Sequence, residues 1–165
     1  MANDGKGIAI LPGERETIPM AGNKMSFVHR EPDSAYSMVE WASEPGAPGS
    51  SVHIHRMTDE AFYVLEGTFG FQVGEQTVEG SAGTFVSAPK GIVHAFWNQG
   101  ATSARMLVTM SPPGFWRYLK ELAEGLAAAR DDAEAAMSLR CSSRRSRRRS
   151  PPPSRGSGKL VRTGK

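Results

Sequence analysis

Three histidines and one glutamate in this chain stand at spacings that suit a metal ion. His53 and His55 flank a single residue in "SVHIH", and Glu60 follows five positions after the second. In an extended strand, residues i and i+2 project from the same face. The two imidazoles therefore stand side by side, with Ile54 on the opposite face. Glu60, on the next turn or strand, can supply a carboxylate. His94 lies in "VHAFWN", another alternating run. If it faces the same interior, the set becomes three nitrogens and one oxygen. Such a set, with room for water or substrate, suits Fe, Mn, Ni, Cu, Co or Zn. Mg and Ca, which prefer oxygen ligands, suit it poorly. Taken singly the signals are weak. A histidine pair on a strand commonly faces solvent, Glu60 alone reads as a solvated acid, and His94 alone reads as a histidine tied to a backbone carbonyl. The joint pattern rests on three of the chain's four histidines falling on apolar, alternating strands. His29 has no motif partner and reads as a surface or supporting residue.

Those four residues need strands to hold them, and the chain supplies many. "KMSFVH", "AYSMVEW", "AFYVLEG", "TFGFQVG", "QTVEG", "GTFVSA", "VHAFWN" and "ARMLVTM" are short, alternating and rich in β-branched and aromatic residues. Turn formers separate them, in "EPGAPGSS", "PKG" and "NQGATS". Many short strands at regular spacing predict an all-β sandwich or small barrel over residues 1–111. The period then changes. Ser111 reads as a helix N-cap with Pro112 at the first helical position. Phe115, Leu119, Leu122 and Leu126 recur at helical spacing. These predict an amphipathic helix over 112–137, leaning on the barrel.

Residues 138–165 are low in complexity and rich in Arg, Ser and Pro. They offer little to bury and are expected to be disordered. They also hold half of the twenty Lys and Arg and none of the seventeen acids. The remaining ten bases against seventeen acids leave residues 1–137 with a net charge of −7. A high isoelectric point would point to nucleic acid, but here it belongs to the tail alone. The tail reads as incidental to the barrel, with at most nonspecific binding to phosphates. No apolar run is long enough to span a bilayer, and "MANDGKGIAILPGERE" has no secretory pattern. With Cys141 the single cysteine, a reducing cytoplasm is the expected compartment.

At this point the chain resembles the cupin superfamily of small β-barrels. The family's first motif is two histidines one residue apart, three or four residues, a glutamate, six residues and a glycine. Here it is His53, His55, "RMTD", Glu60, "AFYVLE", Gly67. The second is a glycine, five residues, Pro-x-Gly, two residues, a histidine, three residues and an asparagine. Here it is Gly83, "TFVSA", Pro89-Lys90-Gly91, "IV", His94, "AFW", Asn98. One departure is the glycine six positions before the first histidine, whose place is bracketed by Gly46 and Gly49. The resemblance covers roughly residues 20–111 and implies a single jelly-roll-like (RmlC-like) barrel. It also implies one divalent transition metal held by His53, His55, Glu60 and His94.

The nearest resemblance is to single-domain cupins similar to quercetin dioxygenase. That implies an O2-dependent oxidoreductase in which Glu60 doubles as ligand and base. Two alternatives stand beside it: a metal-dependent isomerase or cyclase, and a non-catalytic small-molecule binding module. Met38, Phe62, Phe71 and Phe96 are the expected substrate wall. No Lys or Arg has inward parity on these strands, so an oxygenated aromatic or polyketide-like substrate fits better than a phosphate or dicarboxylate. Pro89-Lys90-Gly91 is expected to form the turn that presents His94, and Asn98 to tie a turn. Ile8 to Leu11 are expected to cover a sheet edge of the same or a neighbouring chain, giving a homodimer.

Overall fold

A computed structural model describes residues 7–30 and 33–147, with side chains described as far as residue 131. After a 3-10 turn at Pro12–Glu14 come ten strands. They are β1 (Thr17–Met20), β2 (Asn23–His29), β3 (Ser37–Ser43), β4 (His53–Ile54), β5 (Asp59–Glu66), β6 (Thr68–Val73), β7 (Gln76–Ser81), β8 (Phe85–Ala88), β9 (Val93–Asn98) and β10 (Ala104–Ser111). One helix, α1 (Phe115–Arg147), follows. The strands form two antiparallel sheets, ordered β1-β2-β3-β10-β5-β8 and β4-β9-β6-β7. From β3 onward the chain passes between the sheets at every step except β6 to β7.

Alternation decides which side chains fill the space between the sheets. β10 buries Ala104, Met106, Val108 and Met110, and β5 buries Glu60, Phe62 and Val64. Phe69, Phe71 and Phe96 come from the opposite sheet. The Phe62 ring sits 5.5 Å from both Phe71 and Phe96. Each such ring contributes about 1.5–3 kcal/mol by leaving water, so this aromatic layer is a large part of what closes the barrel. On β3 the buried set is Ser37, Val39, Trp41 and Ser43. Met38 has the other parity and is only half-buried, so it does not face the interior as expected. "AYSMVEW" alternates equally well in either phase, and pairing with β10 selects the phase.

The helix also departs from expectation. Ser111 is the last residue of β10, not an N-cap, and its hydroxyl donates to the Ala35 carbonyl at 2.9 Å. Gly114, at φ 116°, carries the chain from strand to helix in a region open to glycine. At its other end the helix passes 137 and continues to Arg147, since Ala, Leu, Met and Arg are strong helix formers. The rest of the basic tail, 148–165, lies outside the described residues. The chain divides into two units, Met1–Ala127 and Ala128–Lys165. The first holds the barrel and the start of α1. There Trp116 and Leu119 pack on the core, and Lys120 donates to Glu16 at 2.6 Å. Ile8 and Leu11 are exposed, and Ile10 between them is half-buried. Among the described residues no helix is long and apolar enough to cross a membrane.

Candidate metal centre

The two histidine segments meet because β4 pairs with β9, with His53 directly opposite His94 and Ile54 opposite Val93. His55 follows at the end of β4. Glu60 comes from the other sheet, where it pairs with Met110 and Ala88 and points inward. The turn before His94 is stitched to both other ligand segments. The Gly91 N–H donates to the His55 carbonyl (2.7 Å), and the Lys90 N–H donates to Asp59 Oδ1 (2.9 Å). Gly91 has φ 85°, which a side chain would strain. Upstream, a Cβ on Gly49 would lie 1.7 Å from the Phe96 carbonyl oxygen. Only glycine lets the loop before β4 approach β9 this closely. Asn98 ties a turn as expected, donating to the Ser43 and Thr102 carbonyls and accepting from the Gly100 N–H.

His53 Nε2 lies 3.2 Å from His55 Nε2, and Glu60 Oε2 lies 3.0 Å from His55 Nε2 and 2.9 Å from His94 Nε2. His53 Nε2 is 4.0 Å from Glu60 Oε2, and all four donor atoms fall within 4.8 Å of one another. Metal–ligand bonds of about 2.0–2.2 Å set neighbouring donors about 3 Å apart and opposed donors about 4 Å apart. The observed spacings match. Converging nitrogen lone pairs and a carboxylate repel one another unless a cation or proton sits among them, so the donor set itself fits a metal.

Two of the imidazoles are already committed to the right tautomer. His53 Nδ1 lies 2.7 Å from the Ser51 carbonyl and His94 Nδ1 lies 2.9 Å from that of Ile92. A carbonyl only accepts, so Nδ1 carries a proton on both rings, and Nε2 is the nitrogen that faces the centre and would give its lone pair to a metal. His55 Nδ1 has no such anchor among the described residues. Its ring is met instead by the Phe115 ring, edge-on at 4.3 Å.

The electrostatics favour a charged cluster. Burial pushes the Glu60 carboxyl up, but hydrogen bonds from His55 and His94 outweigh it and hold it below the ordinary carboxylate range. Burial lowers His94, yet the Glu60 carboxylate and the Ile92 carbonyl together raise it. His53 is lowered, chiefly by burial, with the neighbouring His94 adding to it against the Ser51 carbonyl.

The centre opens onto a cavity of about 530 Å³, within the range of small-molecule sites. His53, His55 and Glu60 line it, and among the described residues Glu60 is the only carboxylate that does. Among the described residues no Lys or Arg lines it. Of the expected wall, Phe96 lines the cavity, whereas Phe62 and Phe71 lie beneath in the closed core. Shared parity put them on the inner face, but the sheets meet over them. Met38 faces the other side of β3, and Trp41 takes the place expected for it. The helix supplies Phe115, Tyr118, Leu119, Leu122 and Leu126. Their spacing is legible in the sequence as an apolar stripe, but not as a cavity wall. His29 stacks on Tyr36 at 4.9 Å, apart from the centre.

Fold and site together define a small two-sheet β-barrel with a candidate three-histidine, one-glutamate metal centre. Residues 39–110 match the family described as the cupin domain, so the chain carries a cupin domain over those residues. No curated protein matches its sequence. Among solved structures it is similar to KdgF from Halomonas sp., at 21% identity and TM-score 0.60, covering 66% of this chain and 96% of that one. A predicted oxalate decarboxylase from Thermotoga maritima gives 21% identity, TM-score 0.54 and coverage of 63% and 98%. Streptomyces Pac13, a nucleoside dehydratase, gives 17% identity, TM-score 0.53 and coverage of 65% and 83%. At these identities the likeness is one of fold.

Proposed function

We propose that the chain is a metal-dependent enzyme that uses O2 to oxidise an oxygenated aromatic or polyketide-like small molecule. The observation that carries this reading is the donor set opening directly onto a mostly apolar cavity that, among the described residues, no basic side chain lines. His53, His55, Glu60 and His94 would hold the metal. When bound, the metal supplies Lewis-acid activation of an enol or phenol oxygen and access to redox chemistry with O2. The protein's own part is positioning, proton transfer and exclusion of water. Glu60 lines the cavity beside the imidazoles of His55 and His94, which places its carboxylate to accept the substrate's hydroxyl proton. Trp41, Phe96 and Phe115 wall the same space and keep water from the reacting oxygen.

A second reading rests on the same carboxylate. As the one acid lining the cavity among the described residues, Glu60 can serve a proton transfer without net oxidation, as in an isomerase, cyclase or dehydratase. Oxygen-electrode assays of Fe-, Mn- and Ni-loaded protein with flavonols, catechols and 1,3-diketones separate the two. The proposal expects O2 uptake that Glu60→Gln reduces by about 10²–10⁴ while part of the metal is retained. Turnover under nitrogen without uptake supports the second reading, and turnover under neither atmosphere supports a binding module. A homodimer formed through the exposed Ile8 and Leu11 belongs to the same proposal; a purely monomeric species in sedimentation at micromolar concentration counts against it.

A further inference from the structure

One wall of the cavity is apolar yet left open to water. Phe115, Tyr118, Leu122 and Leu126 follow one stripe of α1 and all line the cavity. Tyr118 is 54% exposed, Leu122 38% and Leu126 48%. The same helix packs Phe115, Trp116 and Leu119 against the barrel core and buries Ala123. Docking of the helix therefore covers the start of the stripe and leaves Tyr118, Leu122 and Leu126 half-exposed. The stripe starts at the metal centre, because the Phe115 ring rests on the His55 ring at 4.3 Å, and Tyr118 continues it with ring centroids 5.2 Å from Phe115. From Phe115 to Leu126 the helix advances about 16 Å at about 1.5 Å per residue. Met20, Val39 and Trp41 line the same cavity from the barrel side.

We propose that this stripe binds the apolar tail of the substrate whose oxygenated head sits at the metal centre. The inference rests on the metal-dependent reading above and narrows it. The ligand is an amphiphile with a chelating enol or phenol oxygen at one end and an extended aliphatic or polyketide-like tail, not a compact bicyclic ring. A small molecule suits the stripe because it lines a concave space shared with the donor set, where head and tail can be bound at once. Among the described residues no basic side chain lines the cavity, which fits an uncharged tail.

The test is calorimetric titration of the zinc-loaded full chain with 1,3-diketones that share the acetylacetone head and carry tails from methyl to octyl. Affinity is expected to rise by up to about fourfold per methylene as each leaves water. Leu122→Asn and Leu126→Asn each flatten that rise, Leu122→Met keeps it, and elemental analysis finds the same metal content in all three. A flat series in the wild type, with acetylacetone itself bound, overturns the tail site and leaves the metal reading standing. A rise that both Asn variants retain overturns it too, since the tail then lies elsewhere. A rise that vanishes as protein concentration increases and the chain dimerises assigns the stripe to a second copy, and overturns the proposal. Acetylacetone that binds His94→Ala as well as wild type removes the metal reading, and the inference with it.

Discussion

On one side of the cavity stand histidines borne on paired strands; on the other stand the first turns of α1. The strand side is fixed several times over. β4 is paired to β9, the turn before His94 is bonded to His55 and Asp59, and two imidazoles are anchored to carbonyls. The helix side is held by a few contacts, chiefly Trp116, Leu119 and Lys120, and presents half-exposed apolar side chains. The difference separates two tasks. Chemistry needs donor atoms placed to within a fraction of an ångström, whereas recognition of an apolar group needs only area and shape. A fold can therefore alter the helix wall at small cost in stability while the strand wall tolerates little.

The sharpest test of that contrast is stability. Phe62→Ala, in the closed layer beneath the centre, is expected to cost about 3–5 kcal/mol in denaturant unfolding. Tyr118→Ala, on the helix stripe, should cost less than about 1 kcal/mol. Equal costs would show that the helix is as much a part of the core as the strands.

Metal affinity gives the next largest effect. A binding free energy of about 10–16 kcal/mol shared over four ligands makes each worth roughly 2.5–4 kcal/mol. His94→Ala is then expected to weaken metal binding by about a hundred- to a thousandfold in chelator competition. Leu126→Ala should leave it unchanged, and a matching loss there would erase the division between the walls.

Phe115 is the one place where the walls touch a common group. Its ring is the neighbour that orients His55, which lacks a carbonyl anchor. Phe115→Ala is expected to lower metal affinity by about tenfold, the low end for changes one shell out from a metal. Phe115→Tyr, which keeps the ring, should restore most of it. No change in either variant would free the metal centre from the helix altogether.

The smallest effect lies in the clasp that holds the helix. Glu16 accepts from Lys120 and Arg30, and those hydrogen bonds, Lys120 first, lower its pKa below 4.5. A depressed carboxyl pKa adds stability above its unfolded value, which is lost as pH falls through the folded one. Glu16→Gln is expected to lower the melting temperature by about 1–3 °C at pH 7, with the gap closing below pH 4.5 and in high salt. A gap that persists in acid would assign the loss to packing.

That Glu60 and His94 join the two other histidines in a candidate metal set was only conditional from the strands alone, and came from the resemblance to the cupin motifs. The shared face of His53 and His55, the Pro89-Lys90-Gly91 turn and the turn tied by Asn98 were legible from local chemistry. Each depends on spacing within one short segment, and strand geometry converts spacing into direction without help from the rest of the chain. The inner phase of β3 was not legible. Alternation shows that Val39 and Trp41 share a face and that Met38 has the other, but not which face looks inward; the pairing of β3 with β10 chose Trp41. Nor could the sequence separate Phe62 and Phe71, which the two sheets bury, from Phe96, which borders the cavity. The helix is the clearest case. Its apolar spacing is plain in the chain, but whether Leu122 packs on a core or faces an open cavity depends on where the helix is seated. Gly114, Trp116 and the Lys120–Glu16 pair set that seat, through contacts between residues far apart in sequence, and periodicity carries no information about those.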